Sequence, residues 1–243
     1  VIRALVLPVL ILIAGDAGAA CARIDHKNVG YTVCDVAAGG DLRLWHGDPQ
    51  GNPLGSFHAV ERGLKEGERL VFAMNAGMYR PDRRPVGLFI EEYRERTPLT
   101  DGGGYGNFGM VPNGVFCIFS DRFRTIETGV FRETRPACRF ATQSGPMVVV
   151  DGVLHPRLLP DSSSRHVRNG VGTSADGTRA VFAISERPVN FHDFATLFRD
   201  RLGLPDALYF DGGVSRLFAR ELGRDDIGPP MGPIVGLVAR PGN

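Results

Sequence analysis

Three short motifs that would settle the chemistry of this chain are missing. No CxxC pair, no HxxxH spacing and no GxSxG turn occurs in its 243 residues. The six histidines, His26, His46, His58, His155, His166 and His192, therefore supply no tight ligand set, which leaves only a metal site assembled from distant residues. Ser144, in Gln143-Ser144-Gly145-Pro146, precedes strand-like sequence, whereas the nucleophile elbow of α/β hydrolases runs into a helix. Charge of one sign is lacking too, the balance being +1 from 28 basic and 27 acidic side chains. No global field draws in nucleic acid or an anionic membrane surface, so an anionic substrate has to be met by individually placed arginines. There is no repeat, no low-complexity linker and no domain boundary after residue 21.

What is present is the composition of one folded domain: 43% hydrophobic and 23% charged residues, with 32 glycines and 17 prolines favouring many turns and short elements. The N-terminus stands apart. Arg3, the apolar run Ala4–Ala14 and the small-residue stretch Gly15–Ala20 match a secretory signal peptide, too short for a comfortable membrane span. The expected division is a signal over 1–20 and a single domain over 21–243, in a periplasmic or secreted protein with no integral span after cleavage. Cys21 would then stand beside the mature N-terminus, where lipid attachment is an alternative. Gly18 occupies the place where lipid-attachment sites usually carry Leu, which disfavours that anchor. Export makes disulfides the preferred state of Cys21, Cys34, Cys117 and Cys138. Proximity favours Cys21–Cys34 and Cys117–Cys138, with a plain buried thiol at Cys117 as the alternative.

Apolar and alternating runs between turn signals predict strands at Tyr31–Val36, Leu42–Trp45, Leu70–Met74, Val86–Ile90, Gly114–Phe119, Met147–Val150, Ala180–Ile184, Ala207–Phe210 and Ile234–Val238. Asp151-Gly152 and Asp176-Gly177 read as hairpin turns, so much of the pairing should be antiparallel. Two helices are expected. One begins at the cap residue Ser56 and ends near Gly67. The other runs from Phe191 to Leu202, with Asn190 as N-cap, Asp193 in its first turn and Gly203 at its end.

Gly104-Tyr105-Gly106-Asn107-Phe108-Gly109 fits GxGxxG literally, but a strand-like segment rather than a helix follows, so the dinucleotide reading fails and a Gly-rich surface loop remains. More informative are polar residues set beside glycines at the edges of apolar runs: Asn75-Ala76-Gly77, Asn113-Gly114, Gln143-Ser144-Gly145, Arg168-Asn169-Gly170 and Asp211-Gly212-Gly213 with Ser215. Each alone reads as a turn. Together they offer amides, a guanidinium and a carboxylate, the groups that an oxygen-rich substrate requires.

Met74-Asn75-Ala76-Gly77-Met78, Pro112-Asn113-Gly114-Val115-Phe116, Gln143-Ser144-Gly145-Pro146, Arg168-Asn169-Gly170-Val171-Gly172 and Leu208-Tyr209-Phe210-Asp211-Gly212-Gly213 resemble, in this order, the phosphodiester glycosidase family. The likeness spans residues 30–240 and points to its bacterial exported branch. It implies an α+β single domain with a mixed, largely antiparallel sheet core and a few packed helices. It also implies a site around Arg168 and Asp211. Val214 departs from the Asp-Gly-Gly-Gly-Ser of the family's animal members, and its β-branch narrows the local backbone, so sugar identity does not transfer.

The reaction that the resemblance implies is hydrolysis of a sugar-1-phosphate phosphodiester to free sugar and a phosphomonoester. Arg168 is the candidate for the phosphate, because a guanidinium donates two parallel hydrogen bonds. Asp211 is the candidate nucleophile, general base or cation ligand, and Glu186 the candidate second carboxylate. Asn75, Gly77, Asn113, Gln143, Ser144 and Gly145 are candidates for substrate binding, with Asn169, Asn190, Gly212, Gly213 and Ser215. The resemblance singles out no cofactor, and a divalent cation is a candidate. Two other readings stay open: a metal-dependent phosphodiesterase, and a non-catalytic envelope protein that holds glycan through Tyr79, Tyr105 and Phe108.

Overall fold

The computed structural model of the protein describes residues 20–103, 106–211 and 213–240. Residues 1–19 of the expected signal, with Gly104, Tyr105, Gly212 and 241–243, lie outside the described residues. In chain order the first strands are β1 (Ala20–His26), β2 (Val29–Ala37), β3 (Asp41–Trp45), β4 (Arg69–Asn75), β5 (Phe89–Glu91) and β6 (Arg94–Thr97). Then come β7 (Gly114–Ile118), β8 (Phe123–Glu127), β9 (Phe140–Ser144), β10 (Met147–Val150), β11 (Val153–Leu154) and β12 (Asn169–Thr173). The last are β13 (Arg179–Ser185), β14 (Asp206–Tyr209), β15 (Leu217–Ala219), β16 (Arg224–Asp225) and β17 (Ile234–Ala239). Helices α1 (Phe57–Arg62), α2 (Thr128–Thr134) and α3 (Phe191–Thr196) are short.

Three sheets result, in the orders β1-β2-β13-β12-β14-β10-β11, β16-β15-β4-β17-β3 and β6-β5-β9-β7-β8. The α+β expectation holds, and the named ladders among the described residues are antiparallel. The sheets share one core. Phe182 of β13 lies 5.2 Å, ring to ring, from Phe72 of β4 and meets Phe116 of β7 edge-on at 5.6 Å, so one side chain touches all three sheets. On the outer face of the seven-stranded sheet, Phe191, Phe194 and Phe198 cover Tyr31, Val181 and Tyr209. With Phe182 and Ile184 facing one cluster and Val181 and Ala183 the other, β13 is buried on both sides, which is why it reads as a continuous apolar run.

The caps are as expected: Ser56 Oγ accepts from Ala59 N at 3.2 Å, and Asn190 Oδ1 accepts from Asp193 N at 2.8 Å. The α-helix beginning at Phe191 is shorter than expected, giving way to a π-helical turn over Leu197–Arg201 before Gly203 takes φ +67°. The run Val86–Ile90 also pairs late, from Phe89 only, because the Leu88 amide is taken by the Gln143 side chain instead of a neighbouring strand. Strand β12 escaped the pattern reading, its Asn-Gly-Val-Gly-Thr looking like a loop. Its glycines answer to packing. A Cβ on Gly172 would lie 2.8 Å from both Leu204 and Phe198, so only glycine lets the helical segment lie this close.

Cys21–Cys34 joins opposed positions of β1 and β2, and Cys117–Cys138 ties β7 to the approach of β9. Both pairings match the expectation from proximity. The first occupies the sulfur that lipid attachment would need, and the second removes the alternative of a free thiol at Cys117. Among the described residues no helix is long and apolar enough to cross a membrane.

Candidate active site

Strand β14 delivers Phe210 and Asp211 to a point where side chains from all three sheets converge. Phe210 N donates to Asn169 O at 3.0 Å, extending the β12 ladder by one residue. From the end of β9, Ser144 Oγ donates to Phe210 O at 2.9 Å. From the end of β4, Asn75 Nδ2 donates to Asp211 O at 3.2 Å. Ser215 Oγ lies 2.9 Å from Val167 O and 3.1 Å from Asp211 O, so its one proton is shared between them. Behind these, Asn169 Nδ2 donates to Asn75 O at 3.0 Å and to Asn75 Oδ1 at 2.9 Å, while Arg216 N donates to the same Oδ1 at 2.9 Å. Asn75, Ser144 and Asn169 are fully buried, so these amides and the hydroxyl act on the chain itself and fix the backbone that carries Asp211.

The Asp211 carboxyl is half-buried, and loss of water pushes its pKa above the usual carboxylate range, partly offset by a hydrogen bond from Gly213 N. That bond, 2.9 Å to Oδ1, is the turn cap that a plain reading of the corner also predicts. Tyr79, half-buried four residues beyond Asn75, answers to the same charge. Burial first and then Asp211 raise its phenol, while Arg83 and Arg216 pull the other way. Arg83 lies 5.5 Å from the Tyr79 ring centroid. A carboxyl, a phenol and two guanidiniums therefore share one electrostatic neighbourhood. Sequence reasoning passed over Arg83 and Arg216. The available signal was that Arg216 directly follows Ser215, inside the motif that had been singled out.

Several other expected site residues turn inward. Arg168 is 1% exposed; its guanidinium lies 3.5 Å from the Phe191 ring centroid and donates from Nε to Val189 O at 2.9 Å and from Nη2 to Ser164 O at 3.1 Å. Two of the three nitrogens expected to grip phosphate are thus committed to carbonyls, and burial lowers the pKa of the group. Glu186 is exposed, and its Oε1 accepts from Arg224 Nη1 at 2.8 Å and from the Thr32 hydroxyl. Gln143 spends its amide on the Leu88 and Thr100 backbone and on the Thr128 hydroxyl, standing in for a missing strand between two segments. Asn190 accepts in its capping bond and donates to Pro160 O.

Asn113 is buried and donates to Phe108 O at 2.9 Å, and Gly145 is required beside it because a Cβ there would come within 2.0 Å of Asn113 Oδ1. Gly77 packs as tightly against Thr142 and Gln143. Gly213 is exposed beside Asp211, and Gly212 lies outside the described residues. Among the described residues no three His, Cys, Asp or Glu side chains converge in a way that could hold a metal ion. A cleft of about 320 Å³ lies elsewhere, between Arg43, Trp45, Glu91, Arg94, Arg96 and Phe140. Its Arg43 is already paired with Asp41 and Glu68, and its Arg96 with Glu91.

Comparison with known proteins adds an independent line. A family model described as phosphodiester glycosidase matches residues 68–229, more than half of the chain and the whole stretch from β4 to beyond Asp211. The uncharacterized YigE of Escherichia coli (strain K12) is 34% identical over 179 residues, 74% of this chain and 70% of that protein. Among solved structures, the catalytic domain of zebrafish N-acetylglucosamine-1-phosphodiester alpha-N-acetylglucosaminidase, auto-inhibited by its pro-peptide, superposes with a TM-score of 0.61. It covers 90% of this chain and 82% of that one, at 13% identity, a likeness of fold.

Proposed function

As the chain belongs to the phosphodiester glycosidase family, we propose that it is an exported hydrolase that cleaves a sugar-1-phosphate phosphodiester to free sugar and a phosphomonoester. The observation that carries this reading is the Asp211 carboxyl. It is half-buried and raised in pKa by desolvation, and the backbone that carries it is held by side chains from the ends of β4 and β9.

A carboxyl poised above its ordinary range is a better base than an exposed one at neutral pH. Asp211 takes a proton from water as the water oxygen bonds to the anomeric carbon. The bond from that carbon to the phosphate oxygen breaks, and its electron pair leaves with the phosphomonoester. The proton on Asp211 then returns to solvent. Phosphate is a competent leaving group, so no second carboxylate is needed to protonate it, in keeping with Glu186 being tied to Arg224. Asn75, Asn169, Ser144 and Ser215 position the Asp211 backbone, and Arg168 braces the segment leading into β12. Two disulfides, one between β1 and β2 and one from β7 to the approach of β9, suit an oxidising compartment.

The test is a screen of sugar-1-phosphodiesters and phosphate-linked glycans with the purified protein, following free sugar and phosphomonoester in equal amounts. Asp211→Asn should reduce product formation by about 10²- to 10⁴-fold while remaining folded. Product release at the wild-type rate by that variant would remove Asp211 from the mechanism.

A further inference from the structure

We infer that Arg216, backed by Arg83 across the Tyr79 ring, is the phosphate-recognising group of this site, and that Arg168 is not. The inference rests on the function proposed above, but the anion site can be examined without turnover.

Arg216 is placed by the same side chain that places Asp211. Asn75 Oδ1 accepts from Arg216 N at 2.9 Å, and Asn75 Nδ2 donates to Asp211 O at 3.2 Å, so the two residues are registered on one amide. The guanidinium is 7% exposed and incompletely used. Nη2 donates to Pro229 O, and Nε is buried with no hydrogen-bond partner. Among the described residues it forms no ion pair. Its electrostatic neighbour Asp226 is already held by Arg224 at 2.9 Å and by Leu217 N at 3.0 Å. A charged donor left buried in this state lacks an acceptor, and an anionic oxygen is the acceptor that would complete it.

The surroundings are shaped for a small anion. The chain passes close over the guanidinium at Gly228, where a Cβ would lie 3.2 Å from Nη1. The Tyr79 side chain packs against Gly232, where a Cβ would come within 2.4 Å of its Cγ. The buried Tyr79 hydroxyl makes no hydrogen bond of good geometry, and Arg83 stands over the ring. Arg216 and Arg83 thus both act on the Tyr79 phenol, the group that also feels the Asp211 charge, and supply donors and positive charge suited to a phosphodiester. Arg168 also has one buried nitrogen, Nη1, without a hydrogen bond of good geometry, but its guanidinium is stacked on Phe191, bonded to two carbonyls and turned to the Tyr209 phenol.

Inorganic phosphate is the probe. Its dissociation constant would be measured by calorimetry for the wild type, Arg216→Gln, Arg216→Lys and Arg168→Gln, with urea midpoints recorded for each. Loss of one charge-assisted contact predicts about 10- to 100-fold weaker phosphate binding for Arg216→Gln, with partial recovery in Arg216→Lys, which keeps the charge but not the planar fork. Arg168→Gln should lose stability, and its folded fraction should keep wild-type phosphate affinity. Phosphate binding unchanged in both Arg216 variants, or lost only in folded Arg168→Gln, overturns the inference, as does a wild type that shows no phosphate binding by calorimetry. The two failures separate cleanly. Arg216-dependent phosphate binding without cleavage of any phosphodiester would sink the proposed function and leave the anion site standing. Turnover with an indifferent Arg216 would do the reverse.

Discussion

Changing Asn169 to Asp alters two atoms' worth of chemistry and nothing of shape, which makes it a sharp probe of the network beneath Asp211. Asn169 is fully buried, and its Nδ2 donates to Asn75 O and Asn75 Oδ1 at 3.0 and 2.9 Å. Putting a carboxylate oxygen in place of that nitrogen sets three acceptors against one another. Two hydrogen bonds are lost, worth about 2 kcal/mol together, and an unpaired buried carboxylate adds about 3 kcal/mol or more. A total near 5 kcal/mol corresponds to a fall in Tm of about 10–20 °C for a domain of this size. Asn169→Ala, which removes the donors without adding charge, should cost about 2–4 kcal/mol. The new carboxyl would also have a raised pKa in the folded state, so folding would bind a proton. The deficit relative to Asn169→Ala should therefore shrink as pH falls through that raised value. Urea unfolding of the three proteins at neutral and acidic pH measures all of this. An Asp variant as stable as wild type at pH 7, or one whose deficit does not respond to pH, would show that Asn169 does not donate as described.

Asp211→Asn should raise Tm at pH 7 even as it removes activity. Burial raises the Asp211 pKa, so the folded state holds the proton more tightly than the unfolded one, and stability is given up as pH rises from the ordinary value of 3.8 through the folded value. The gain should vanish below pH 3.8, and a lower Tm at pH 7 would contradict the cause assigned to the shift. Gly77→Ala should cost about 1–3 kcal/mol in chemical denaturation, because its Cβ would come within 2.3 Å of Thr142 Oγ1 and 2.5 Å of Gln143 O. An unaltered midpoint would mean that β9 gives way there. Replacing Cys117 and Cys138 together by Ala, 21 positions apart in sequence, should lower stability by about 3 kcal/mol under non-reducing conditions. Equal midpoints for variant and wild type would refute a structural role for that bond.

The parts of this fold written in side-chain pattern were legible. The apolar run of β13, the caps Ser56 and Asn190, and the hairpin at Asp151-Gly152, where β10 turns into β11, all follow from local chemistry. What could not be read was whom a polar side chain serves. Gln143 and Asn190 look like ligand-binding amides in sequence, yet their partners are backbone groups of Leu88, Thr100 and Pro160, distant in the chain. Arg168 and Arg216 both stand next to strand ends, and only folding determines that one stacks on Phe191 while the other lies beside Tyr79. Glycine misled for a similar reason. In β12 it marks the close approach of an aromatic helical segment, a demand invisible until that segment is in place.

Because Phe210 and Asp211 are secured by one bond from β9 and another from β4, with their own strand as the third support, the reactive carboxyl exists as such only when all three sheets have assembled. A partly folded chain, with any sheet still detached, would carry an ordinary solvated aspartate on a loose loop. Under the proposed hydrolysis, the fold therefore acts as an interlock, armed by the last docking event. Refolding experiments should show activity returning with the slowest sheet rather than with the first secondary structure.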